Sequence, residues 1–367
     1  MTPKEAKDRV ELAVEMYAKL QRDLILLLSD YFRVKEGTDY NEWYLKLLKE
    51  VNSFTDKALE EISLNSKVAK ETLVEALQEV GLLTYEDTLK EGGSVPSKYF
   101  SEVVKSAINQ EMYELDNVIN ETLISHNLAP VLRNIYMNTL QNVTVLHSVG
   151  GLTLSEAVTK GVLEAYDKGI PTSFIDRGGN TWDIERYTKL VIRSISQRVW
   201  NDMRVEGMKE LNTTTVYVPP HAKARPECSK CQGKFLDIRP IAENTSKNPS
   251  VYEFGYGTPS GHRGCNCTHI WIPVVEGVNK ERVSEWTPKE AESNFWEDQR
   301  YKTLARRVKK TKEQLEILKR LGVDTTKKEK LLKTQQAIVK AYCKEKGIKR
   351  QRDLEQVGVL VKKHKDT

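Results

Sequence analysis

The sequence predicts a mainly α-helical protein with a helical N-terminal part, a small α+β central domain with cysteine-bearing turns, and a C-terminal helical hairpin arm. Three observations lead to this expectation. Apolar residues recur at helical spacing through most of the first 150 residues and again after residue 290. Between those stretches the pattern changes to β-branched runs, hairpin-turn residues and prolines. Four of the five cysteines, Cys228, Cys231, Cys265 and Cys267, fall in two turns of that middle part. The corresponding divisions are a helical domain over 1–150, an α+β core over 151–280 and a basic helical arm over 281–367.

Residues 3–34 carry Val10, Leu12, Ala13, Met16, Tyr17, Leu20, Leu24 and Leu27 near a 3.6-residue period, which predicts a helix. Residues 40–63 repeat the pattern with Trp43, Leu45, Leu47, Leu48, Val51 and Phe54, and 68–80, 100–125 and 130–142 are further helices by the same criterion. Gly150-Gly151 marks a break. Thr153 with Glu156 three residues on is a capping-box signature for a helix to Lys168, ended by Gly169. The run from Phe174 to Trp182 reads as a tight hairpin turning at Arg177-Gly-Gly-Asn. A long helix follows from about Asp183 to Leu211, with Ile184, Tyr187, Val191, Ile195 and Val199 on one face. Thr213 to Val218 reads as a strand closed by Pro219-Pro220, and His269 to Val275 as another. Glu290–Leu321 and Thr325–Lys346 form a helical hairpin about Gly322-Val-Asp. Its apolar stripe is expected to pair Leu304, Val308, Leu315 and Leu318 with Leu331, Ile338 and Tyr342, as in a coiled-coil arm.

Charged residues make up 30% of the 367, and mean hydropathy is -0.54, as for a polar, soluble chain. The apolar run Leu24 to Leu28 is far too short to span a bilayer, and no secretory signal opens the chain. From Tyr301 to Thr367 there are 21 Lys or Arg against 8 Asp or Glu, a surplus of +13. The net charge of +5 then leaves -8 on residues 1–300. A basic tail on an acidic body suggests a polyanion near the C-terminus, and its bland counterpart is a solvated helix surface.

The cysteine turns suit a tetrahedral metal, which needs about four soft or borderline ligands from two short segments. Cys228, Cys231, Cys265 and Cys267 are the candidate ligands of a structural zinc, with His262 and His269 as alternates. The plainer alternative is that small buried cysteines simply pack. There is no H-E-x-x-H, no Walker A loop and no G-x-G-x-x-G after a strand. A metal-dependent hydrolase using His221, Glu227, His262 and His269 therefore has no spacing to support it. His221 and Arg225 follow a strand and are expected to brace their loop by hydrogen bonds to backbone, with Gly233 and Gly257 taking positive φ at turns.

Three segments, in order, resemble a known family. The first is GIPTSFIDRGGNTWDIERYTKLVIRSISQRVWN, with Gly169, Asp176, Gly179, Trp182, Tyr187 and Arg193 at the matching places. The second is VPPHAKARPECSKCQGK, with His221, Ala224, Arg225, Pro226, Gln232, Gly233 and Lys234. The third is YGTPSGHRGCNCTHIWIPVVEGV, with Gly257, Gly261, Asn266, Cys267, His269, Pro273 and Gly277. Together with the basic helix after Gln299-Arg300 they resemble the phage minor capsid protein 2 family, related to the Mu F-like head morphogenesis proteins. The likeness covers about residues 150–345. Cys231 stands where the family more often has Trp, and Cys265 where it commonly has no cysteine, so the family pattern does not require the four-cysteine set.

The resemblance implies a low-copy virion protein at the portal vertex or in the head interior, acting in head assembly or DNA delivery and passing through the host cytoplasm during assembly. It implies no enzymatic activity, and no membrane is expected as a partner during assembly. The partners it suggests are the portal protein, the major capsid or scaffolding protein, and packaged double-stranded DNA held non-specifically by the basic arm. A metal-dependent hydrolase and a host zinc-containing nucleic-acid-binding protein are the alternatives.

Overall fold

The computed structural model describes residues 3–91, 109, 113, 128–149, 151–169, 171–175, 179, 181–258, 260–264, 267, 269–274 and 284–357. In chain order its elements are α1 (Pro3–Phe32), α2 (Tyr40–Glu91), α3 (Leu128–Ser148), α4 (Leu154–Lys168), β1 (Pro171–Ile175), β2 (Thr181–Asp183), α5 (Ile184–Glu210), β3 (Thr215–Tyr217), α6 (Pro226–Ser229), β4 (Phe235–Asp237), β5 (Ile272–Pro273), α7 (Pro288–Leu321) and α8 (Thr326–Lys346). Short 3₁₀ turns occupy Ile241–Glu243, Val251–Phe254 and Arg352–Glu355. The protein is mainly helical, with a small α+β region, as its sequence predicts. No helix among the described residues is long and apolar enough to cross a membrane.

Several boundaries follow from local chemistry. Asp39 caps α2 by accepting from the backbone N–H groups of Asn41 and Glu42 at 2.9 and 3.1 Å. Thr153 and Glu156 complete the expected capping box on α4, and Gly169 ends it at φ +70°. Ile175 pairs with Thr181 across the expected hairpin. The helix expected over 100–125 lies outside the described residues apart from 109 and 113.

The helix division after residue 40 is corrected. Residues 40–63 and 68–80 are not separate helices but parts of the 52-residue α2. No Gly or Pro interrupts Ser63 to Lys67, and Asn65 satisfies itself by donating to Glu61 O at 2.9 Å, so nothing there opens the ladder.

The described residues divide into two compact units, one from within 1–11, 71–116 and 190–300, the other from within 12–70, 117–189 and 301–367. In the second unit, Phe32, Trp43, Phe54 and Tyr136 form an aromatic cluster: Phe32 meets Trp43 and Tyr136 edge-to-face, Phe54 meets Tyr136 at a tilt, and Phe32 and Phe54 each lie 5.0 Å from Tyr136 between centroids. The Tyr136 hydroxyl donates to Leu47 O at 3.0 Å. Helices α3 and α4 meet closely at Gly161, where an added Cβ would lie 2.6 Å from Val143 Cγ2. Val143 is β-branched and buried, so it has little room to give. Gly161→Ala is expected to cost about 1–3 kcal/mol, read as a lower urea midpoint, and an unchanged midpoint would show that the two helices do not pack there.

The hairpin of α7 and α8 also belongs to the second unit from Tyr301 onward. Its core is Tyr301, Val308, Val339, Tyr342 and Cys343, with Leu304, Leu332, Ile348 and Leu354 against it. The expected pairing through Leu331 and Ile338 is corrected: these are 42% and 48% exposed, and the neighbouring Leu332 and Val339 face inward instead. Basic residues of α7 are partly neutralised within the unit. Lys309 pairs with Glu15, Lys310 with Asp167 and Arg320 with Asp30.

In the first unit, β3 is the centre of a three-stranded antiparallel sheet ordered β4-β3-β5. Val216 stands opposite Leu236 on one side and Pro273 on the other. The core beneath it is Met208, Val216, Val218, Cys231, Leu236, Val251 and Trp271.

Candidate metal centre

Both cysteine turns are shaped by backbone hydrogen bonds, and the thiols of Cys228, Cys231 and Cys267 are buried in the interior. Strand β3 runs into Val218, whose carbonyl accepts from Gly233 N at 2.7 Å, and whose N–H donates to Lys234 O at 3.1 Å. The chain between them makes α6, with Pro226 at its first position, where a missing N–H costs nothing. Cys231 N and Gln232 N donate back to Cys228 O at 3.2 and 3.1 Å, and Gly233 takes φ +75° to lead into β4. The second turn starts from the Val251–Phe254 3₁₀ segment. There Ser250 and Glu253 form a capping box and Gly255 closes at φ +74°. His262 N then donates to Phe254 O at 2.8 Å, and Cys267 N to Gly264 O at 3.0 Å. The start of α7 secures the first turn. Asn294 donates to Ala222 O at 3.0 Å and Lys223 meets Asp298 at 2.6 Å. Trp286 and Ala291 pack on Ala224, Cys228 and Cys267.

Five soft or borderline donors converge in this interior. Cys228, Cys231 and His262 are fully buried, His269 and Cys267 nearly so. Cys228 Sγ lies 3.6 Å from Cys267 Sγ, Cys231 Sγ 3.4 Å from His262 Nδ1, and Cys267 Sγ 3.5 Å from His269 Nδ1. The ligand atoms of Cys228, His262 and Cys267 all lie within 4.8 Å of one another, a group able to hold a metal ion. The S···S edge of a tetrahedral zinc site with Zn–S near 2.3 Å is roughly 3.7 Å, so the thiol pair already has ligand spacing. Cys265, the fourth expected cysteine, lies outside the described residues.

The electrostatics favour a thiolate at one position. Its hydrogen bond with Cys228 holds Cys267 well below the ordinary thiol range, and the same bond pushes Cys228 up. Burial raises Cys231 to about 12 and lowers His262 to about 3, so His262 is neutral. Arg263, in the left-handed region at φ +59°, is buried, and its guanidinium is pulled down to about 10 by desolvation. It donates through Nη1 to His269 O and lies 5.3 Å from the Trp271 ring centroid.

The remaining motif residues surround this group. Arg225 Nη2 donates to Gly261 O at 2.6 Å, tying the two turns together. His221 N donates to Gln232 Oε1 at 2.8 Å, and the His221 ring meets His269 edge-on at 4.4 Å. Gly257 sits at φ +87°. Two contributors escaped sequence reasoning. Trp271 lies in a segment expected to be a strand, but nothing local signals that its Nε1 donates to His262 Nε2 at 2.9 Å. Arg263 carries no motif and is significant only through its burial.

A shallow pocket of about 200 Å³ lies nearby, lined by Asp202, Val205, Glu206, Ile238, Tyr252, Tyr256 and Trp271. Its lining contains none of the cysteines or histidines, so the metal-capable group does not open onto it.

Comparison with known proteins gives these side chains a context. A model of the family described as phage minor capsid protein 2 matches residues 1–344. The chain is 28% identical over 326 residues to a protein of Lactococcus phage LL-H named structural protein, covering 84% of this chain and 88% of the relative. It is 38% identical over 76 residues to a structural protein of Lactococcus phage mv4, covering 21% of this chain and 62% of that relative. No solved structure matches the chain.

Proposed function

The chain belongs to the phage minor capsid protein 2 family, and from that premise we propose that it is a low-copy component of a tailed-phage head, at the portal vertex or in the head interior, acting in head assembly or DNA delivery. Its partners on this reading are the portal protein, the major capsid or scaffolding protein, and packaged DNA. It is a structural part rather than an enzyme. The buried donors are those of a closed structural zinc site, whereas a hydrolase needs a metal position open to water.

The observation that carries the DNA contact is the charge on α8. Lysines of α7 are partly spent on carboxylates of α1 and α4. On α8, Lys330, Lys333, Lys340 and Lys344 are exposed, and their three-, seven- and four-residue spacings put them on one helix face. Such a row suits phosphates and carries no base readout. The full-length protein is therefore expected to bind duplex DNA without sequence preference and to release it as salt rises. Replacing these four lysines with glutamine should reduce the slope of log K against log salt by up to about 0.9 per lost phosphate contact. An unchanged slope, or no DNA binding at low salt, removes DNA as the partner of this face. A second reading has one observation in its favour. Leu331 and Ile338, seven residues apart, are exposed on a different flank of α8 from the four lysines, as in a helix that docks through an apolar stripe on a protein surface.

A further inference from the structure

We propose that the metal is held by the thiolates of Cys228, Cys231 and Cys267 together with Nδ1 of His269, and that His262 supports a thiolate instead of binding the ion. The proposal rests on the reading of a bound zinc given above and assigns its ligands. Distance alone groups His262 with Cys228 and Cys267 and leaves Cys231 and His269 outside that group, so the proposed set draws these two inward when the ion binds. Proton bookkeeping points to the other imidazole.

A neutral imidazole has one lone pair and one N–H. The nitrogen that binds a metal must be bare, and the other must donate outward to an acceptor. Trp271 Nε1 is a donor only, and it lies 2.9 Å from His262 Nε2. His262 Nε2 is therefore the bare nitrogen, and Nδ1 carries the proton, aimed at Cys231 Sγ 3.4 Å away. Metal at Nδ1 would force a proton onto Nε2, directly against the Trp271 N–H.

His269 is arranged the other way. A backbone N–H can only donate, and that of His221 reaches Gln232 Oε1 at 2.8 Å, which fixes which end of the Gln232 amide is oxygen. The same oxygen lies 3.3 Å from His269 Nε2, so this nitrogen carries the proton. His269 Nδ1 is left bare and faces Cys267 Sγ at 3.5 Å, close to the S···N edge of a zinc tetrahedron, roughly 3.5 Å. A carbonyl accepting the far N–H is the usual support of a ligating imidazole. Charge is compatible with this set. Three thiolates and a divalent ion sum to one negative charge, and buried Arg263, bonded to His269 O, supplies one positive charge beside it.

The test uses the full-length protein. Elemental analysis is expected to find one zinc per chain, and the cobalt(II) form to show bands of a three-sulfur, one-nitrogen site. Nitrogen-15 shifts of the zinc form should place the proton on Nδ1 of His262 and on Nε2 of His269. His262→Asn keeps an N–H near Cys231 and should retain the metal, whereas His269→Asn should weaken binding at least tenfold. Reversed tautomers, metal loss only in His262→Asn, or a four-sulfur spectrum would overturn the assignment while leaving a metal in place. Wild-type protein purified without chelator and containing no metal would remove the zinc reading itself. Because the tautomers are read on the wild type, a misfolded variant does not blunt the test.

Discussion

Gly261→Ala should leave the second cysteine turn unable to form. An added Cβ at Gly261 would lie 1.8 Å from Gly255 O and 2.4 Å from Gly255 C, both backbone atoms. Gly255 cannot retreat easily, because it closes the Val251–Phe254 turn at φ +74° and its N–H is bound to Tyr252 O at 3.1 Å. The next residue is His262, and Gly261 O is the acceptor for Arg225. The substitution therefore strikes the packing of both turns at once. A loss of at least about 3 kcal/mol is expected, the upper end for overpacking, read from urea unfolding. Gly257→Ala is the control. Its φ of +87° is strained for alanine, but nothing lies within 4 Å of the new Cβ, so its cost should stay near 1–2 kcal/mol. Equal effects at the two positions would mean that the close approach at Gly261 is absent in solution.

On the zinc reading proposed above, removing the metal should have the other large effect. The sheet it would support has strands of three, three and two residues, too few to stand alone. Structural zinc contributes about 10–16 kcal/mol of apparent binding energy in small zinc domains, comparable with the roughly 5–15 kcal/mol that keeps a whole domain folded. Cys228→Ser, or exhaustive chelation, is thus expected to abolish protection of the amides between Thr215 and Pro273 in hydrogen exchange. The hairpin of α7 and α8 from Tyr301 onward has its own core and should stay protected. Protein shown to be metal-free, yet with native exchange at Val216 and Leu236, would defeat the expectation.

The sequence disclosed most of what is local. Thr153 with Glu156, and Gly169 after Lys168, mark a helix whose cap atoms meet as the pattern requires. Four cysteines in two turns pointed to the interior where a metal could sit. The choice of ligand histidine was not local. It depends on Trp271 and Gln232, whose partners are set by packing and not by spacing. The stripe on α8 failed for a definite reason. Leu331-Leu332 and Ile338-Val339 are adjacent apolar pairs, so two stripes about 100° apart fit the period equally well, and only the facing helix selects Leu332 and Val339. Strand β4 has three residues and no repeat to detect, and it exists because β3 lies beside it. The grouping of distant segments into compact units likewise depends on contacts that no short pattern records.

The small sheet around β3 has a consequence for crowding. Proteins that gather in an assembling particle meet at high local concentration, and an open strand edge then invites chains to zip together. Neither edge here is long enough to do so. On one side Asp237 of β4 is bridged to Ser250, with Asp237 N donating to Pro249 O at 2.9 Å. On the other, β5 is two residues long, and Pro273 has no N–H to offer. Among the described residues, the backbone edges of the metal-capable unit therefore offer little for a second copy to pair with.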